Sequence, residues 1–225
     1  MIRLPHYPQT SLGSKILVAV TGLGLAVFVL FHMVGNLQMF QGARAINGYA
    51  AFLRDMPILL WTARAGLFAF VLFHLVLALK LARQNREARP MAYAVRRYRQ
   101  ASLASRTMAI SGVLLLLFII FHLLHLTAGI IDPSFADKLD VRGQRDVYAK
   151  MIHAFQNPLL ASVYVAAQVV LGLHLSHAVS GSLQTLGLEH PALNRVFRAA
   201  GPAVALIVVL GNMAIVLAVT TGIIR

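Results

Sequence analysis

Five stretches of the chain stay apolar and almost free of charge for longer than soluble helices usually do: 16–43, 58–79 (broken only by Arg64), 107–131, 151–188 and 199–224. Crossing a hydrocarbon core about 30 Å thick takes roughly 20 residues at ~1.5 Å rise each. All five runs are long enough. They are continuous rather than alternating, which points to helices and not to barrel strands. The pattern predicts spans at about 15–38, 58–82, 107–131, 158–184 and 199–224. The expected fold is an all-α, five-helix membrane bundle forming one domain over residues 1–225. The first run follows Arg3 and Lys15, as in a signal peptide. It outlasts the ~7–15 residues of a signal core and no small-residue cleavage site follows Phe31, so it reads as a retained span.

The intervening segments carry the polar residues. Gly42, Gly48 and Pro57 punctuate 35–57, which reads as a loop. Segment 81–105 is basic and reads as an amphipathic stretch broken at Pro90, and 132–158 holds a short helix predicted over 143–154. The last connection, 187–198, turns at Pro191.

Charge then supplies an orientation. Only 12% of residues are charged and 59% are apolar, yet the net charge is +13. Eight basic residues (Lys80, Arg83, Arg86, Arg89, Arg96, Arg97, Arg99, Arg106) lie in or beside the second connection. The positive-inside rule places such a cluster in the cytoplasm, so the charge implies membrane lipid contact and no nucleic acid. With the N-terminus inside and the C-terminus outside, twelve basic residues fall inside, adding Arg3, Lys15, Arg195 and Arg198. Seven fall outside (Arg44, Arg54, Lys138, Arg142, Arg145, Lys150 and Arg225), or eight with Arg64 at an outer helix end. The chain has no cysteine, which excludes thiolate-bound iron–sulfur clusters, covalent c-type haem and disulfides within it.

The candidate chemistry lies in the histidines. Six of the nine sit within spans: His32, His74, His122, His125, His174 and His177. An imidazole in hydrocarbon is costly and marks a functional site. A lone one could merely join two helices, for about 0.6 kcal/mol. Histidines on four separate helices ask for more. With ~1.5 Å per residue, His32 and His122 fall on the outer side of mid-membrane and His74 and His174 on the inner side. Two layers about ten to fifteen Å apart, each with two imidazoles, suit two six-coordinate b-type haems with bis-histidine axial ligation. A zinc transporter would add carboxylates, and no span holds Asp or Glu. Gly22, Gly24, Gly66, Gly112, Gly172 and Gly181 would admit a flat macrocycle or serve close helix packing.

Other polar residues leave alternatives open. His125 and His177 each follow a proposed ligand by three residues, so each could replace it, support it or serve a quinone site. Arg64 could snorkel to headgroups or contact a haem propionate or quinone. Asn36, Gln38, Trp61 and Arg64 form a candidate quinone site at the outer helix ends, whereas His6, His153 and His190 read as surface residues.

The run Phe31-His32-Met33-Val34-Gly35-Asn36-Leu37, with Phe40, Gly42, Asn47 and Tyr49-Ala50, resembles the first-helix signature of the b558-type cytochrome b subunit of succinate dehydrogenases. Leu173-His174-Leu175-Ser176-His177, with Gln184-Thr185-Leu186-Gly187-Leu188-Glu189-His190-Pro191, is similar to that family's fourth-helix motif and following turn. The resemblance runs from the first helix into the fifth. It implies a di-haem membrane anchor of a succinate:quinone oxidoreductase or its fumarate-reducing relative. One haem would be ligated by His32 and His122 and the other by His74 and His174. It implies partners too: an FAD flavoprotein and an iron–sulfur subunit on the cytoplasmic side, with the complex open to higher oligomers. Electrons would pass to a quinone, menaquinone rather than ubiquinone, in a bacterial cytoplasmic membrane. The subunit itself would have no substrate chemistry. Fumarate-reducing members carry a membrane glutamate near the fourth-helix ligand, but the position two before His174 is Gly172, which favours succinate oxidation. A cytochrome b anchor for another dehydrogenase and a haem-free transporter are the competing readings.

Overall fold

The computed structural model describes residues 10–88, 102–135, 137–188 and 190–225. Among these, eight α-helices account for most of the chain and no strand forms: α1 (Ser11–Asn36), α2 (Ala43–Arg54), α3 (Pro57–Glu87), α4 (Leu103–Arg106), α5 (Met108–His122), α6 (Val147–Gln156), α7 (Pro158–Thr185) and α8 (Asn194–Thr220). Five helical segments are long and apolar enough to cross a membrane: α1 with its following 3₁₀ turn, α3, α5 with a π-helical turn at Leu123–Thr127, α7, and α8.

The starts of these helices follow local chemistry. Thr10 caps α1 by accepting from Gly13 N–H at 3.0 Å, and Asn157 caps α7 by accepting from Leu159 and Leu160. Pro57 and Pro158 open α3 and α7, where a missing N–H costs nothing.

Several boundaries depart from the sequence expectation. The supposed loop at 35–57 contains α2, whose Asn47 is buried at 1% exposure. Its side chain donates to Asp140 (3.2 Å) and Asp146 (3.0 Å) and accepts from Tyr148 N–H (3.0 Å). This amide joins α2 to the start of α6. The helix predicted over 143–154 runs instead over Val147–Gln156, because Gly143 (φ +72°) turns the chain and Asp146 caps the helix through Ala149 N–H. The third span stops at Thr127 rather than 131, ahead of Gly129 at φ +67°. Both α3 and α8 extend into basic sequence, to Glu87 and from Asn194, since a helix outlasts the hydrocarbon while its charges sit at the interface. Most of the basic stretch that includes Pro90 lies outside the described residues.

In the bundle, α3 packs along α1, α1 along α7, and α7 along α5, which touches α3 in turn. The helices α1 and α5 therefore face each other across one diagonal, and α3 and α7 across the other. α8 covers α7 and part of α1. Its contact with α7 is close: a Cβ on Gly201 would collide with the Ser176 carbonyl. Pro202 lies inside α8 and cannot donate to Arg198 C=O. Ser180 of α7 donates to that carbonyl (3.2 Å) and accepts from Gly201 N–H (3.0 Å), so both groups have a partner beside the proline. Asn212 and Gln168 add a second polar link between these helices, at 3.1 Å.

By contrast, no residue of α3 is buried. It meets α1 through Phe70 over Gly24 and His74 over Gly22. Beyond that crossing its first turns, 57–66, are exposed on every face apart from the half-buried Leu60.

Candidate functional site

The six intramembrane histidines divide as their helices do. His32 lies on α1 and His122 at the end of α5; His74 lies on α3 and His174 on α7. Each pair thus comes from two diagonally opposed helices, and the His32 and His122 rings are in contact.

In the pair on the α3–α7 diagonal, both imidazoles are anchored. His74 Nδ1 lies 3.1 Å from Val18 C=O and 3.3 Å from the Thr21 hydroxyl. Thr21 spends its own proton on Leu17 C=O (2.6 Å), so Nδ1 must be the donor. His174 Nδ1 lies 3.0 Å from Ser111 Oγ, whose hydroxyl is also 3.1 Å from Met108 C=O. The carbonyl fixes His74 as the tautomer whose Nε2 carries a lone pair, and the hydroxyl holds His174 by the same ring nitrogen. A histidine that binds metal is usually held in this way, its second nitrogen donating to a carbonyl or similar acceptor. A Cβ on Gly22 would lie 2.9 Å from His74 Cε1, and one on Gly112 would lie 3.6 Å from His174 Cε1.

The second pair stands closer to the α2/α6 end. Eleven residues of α5 separate Ser111 from His122, about 16 Å at the helical rise, and ten residues of α1 separate Gly22 from His32, about 15 Å. The His32 and His122 ring centres are 5.9 Å apart with planes at 87°. Imidazole nitrogens bind metals at roughly 2 Å, so two rings facing across one iron have centres about 6 Å apart. The pair fits that separation. His122 Nδ1 is buried and has no hydrogen-bond partner among the described residues, and His32 Nε2 meets the Asn36 amide at 3.2 Å, a contact that ligation through this nitrogen would replace. The donor set itself is pairs of imidazoles. Among the described residues no three His, Cys, Asp or Glu side chains gather as a multi-ligand metal centre would require.

The remaining candidates sort by surroundings. His125 is 1% exposed, with Nδ1 3.0 Å from the Tyr164 hydroxyl. His177 is half-buried beside Gly181. Arg64 is exposed and sits over the Trp61 ring at 5.0 Å. Extending the register set by Gly24–Phe70 and Gly22–His74 brings Arg64 level with His32 across the splayed part of α3. Gln38 lies in the 3₁₀ turn after α1. Of the other glycines, Gly24 and Gly172 serve packing, against Phe70 and Val209, and Gly66 has open space around it.

Sequence reasoning missed Thr21, Ser111 and Tyr164. The first two had a signal, since hydroxyls inside apolar runs must find acceptors; Tyr164 had none. At the α2/α6 end, His153, read from sequence as a surface residue, bonds Asp132 at 2.9 Å and stacks on Phe135 at 4.1 Å. A hydrogen bond from the Ser134 hydroxyl holds the Asp132 carboxyl below its ordinary range. The sequence matches no family model, no curated protein and no solved structure.

Proposed function

We propose that this chain is the di-haem cytochrome b anchor of a succinate:quinone oxidoreductase. The observation that carries the reading is the arrangement of four histidines as two diagonal pairs at two depths, one pair having both rings held through Nδ1 by a neighbouring helix. His74 with His174 would hold one haem b and His32 with His122 the other. Bound there, the haems supply one-electron carriers at two levels of the membrane. The chain's own part is to fix ligand orientation, exclude water and set the spacing. Arg64, level with His32, supplies a cation for a propionate or a quinone headgroup.

Orientation and partners follow from charge. Lys15, Lys80, Arg83, Arg86, Arg106, Arg195 and Arg198 lie at the bundle end opposite α2 and α6, and the sequence count of twelve basic residues against seven, with Arg64 at an outer helix end, supports reading that end as cytoplasmic by the positive-inside rule. The N-terminus is then inside, the C-terminus outside, and the His74/His174 layer is nearer the docked iron–sulfur and FAD subunits. Electrons from succinate enter there and leave to a membrane quinone, menaquinone rather than ubiquinone, beside the outer layer. The anchor fits a bacterial cytoplasmic membrane.

Purification from native membranes tests the reading. A flavoprotein and an iron–sulfur protein should accompany the chain, and succinate should reduce an absorbance band of b type. A chain isolated without them, or haems that stay oxidised with succinate, would overturn it.

A further inference from the structure

We infer that Tyr164 is a positioning residue: by holding His125 against α7 it leaves His122 as the ligand that α5 offers to the outer haem. The inference rests on the di-haem reading and deepens it. In a regular α-helix, residues three apart share a face, so His122 and His125 would both turn inward. Here α5 changes to a π-helical turn directly after His122, closed by Ala128 N–H on Leu123 C=O at 2.7 Å. An i→i+5 turn takes more residues per revolution, and positions three apart no longer stack. The cost of that irregular turn must be met by something, and Tyr164 is placed to meet it.

Its hydroxyl lies 3.0 Å from His125 Nδ1, and both side chains are buried. The Tyr164 ring is wedged edge-on by Phe118 (5.3 Å) and Phe155 (5.0 Å), with Phe121 at 5.8 Å, so it has little freedom to follow a moving histidine. The same ring lies 6.0 Å from His122. One tyrosine therefore fills the space beside both candidates, bonds to one, and leaves the other with an uncommitted Nδ1 and a partner ring on α1.

The test uses the purified, haem-loaded full-length chain carrying Tyr164→Phe, His125→Phe or both, with haem content, low-spin EPR and a redox titration as readouts. The His74/His174 haem serves as the internal control for folding. Tyr164→Phe should leave two haems but split the outer haem's EPR signal and shift its potential, as His125 becomes free to compete. His125→Phe should keep both haems, and the double variant should restore a single outer signal. An outer signal and potential unchanged in Tyr164→Phe would overturn the inference, as would loss of the outer haem in His125→Phe. Wild-type protein without haem would sink the di-haem reading itself, and this inference with it.

Discussion

His74 and His174 each have one ring nitrogen tied to a neighbouring helix, whereas His122 Nδ1 has no partner among the described residues and His32 is held through Nε2 by the half-buried Asn36 amide of its own helix. The helices around the two layers differ in the same sense. At the His74 level α3 presses onto Gly22 and Gly24, while at the His32 level its turns stand clear of neighbours. One layer is thus organised by the protein alone. In the other, the chain brings two rings to a metal-spanning distance and leaves their bonding incomplete. A ligand pair needs only matched depth and diagonal placement to exist; its rigidity is a separate property, supplied by hydroxyls and carbonyls one helix away.

The largest effect should come from crowding the organised layer. Gly22→Val places branched atoms against His74, whose Nδ1 cannot leave Val18 C=O without losing its bond, so haem should be lost from that layer alone, as measured by haem-to-protein ratio and EPR. Gly112→Ala, with 3.6 Å available, should be tolerated. Next, Ser111→Ala removes the hydroxyl that meets His174 Nδ1 and should weaken haem retention about 10–100-fold in a transfer assay to apomyoglobin. Equal weakening of the other layer would erase the distinction drawn between them. Ser180→Ala acts away from both layers: it bares Arg198 C=O and Gly201 N–H and should cost about 1–3 kcal/mol in unfolding from micelles, with both haems retained. The smallest effect concerns the exposed loop after α5. Because Ser134 lowers the folded-state pKa of Asp132, its contribution is present above about pH 4 and is lost as pH falls through the depressed value. Asp132→Asn should remove it at neutral pH too, seen as faster proteolysis near 130–138.

Much of this arrangement was legible beforehand. The five spans follow from run length, since hydrocarbon thickness fixes how many apolar residues a crossing needs. The four histidines and their pairing follow from depth arithmetic on those spans. α2 was hidden because Arg44, Arg54 and Gly48 break its apolar run, and its buried face is short, with the polar Asn47 beside Ile46 and Ala51. The early start of α8 was hidden by Arg195 and Arg198, which a charge-free window discards although helix ends at an interface hold charge readily. The π turn had no sequence mark, for it is a choice between backbone partners decided by Tyr164 from another helix.

The most direct test of the two-layer account is a haem count with a potentiometric titration on the wild-type chain and on each single His→Ala variant. The account predicts two b haems, with His74→Ala and His174→Ala removing the same one and His32→Ala and His122→Ala the other. A wild-type chain with no α-band, or two members of one pair removing different haems, would contradict it.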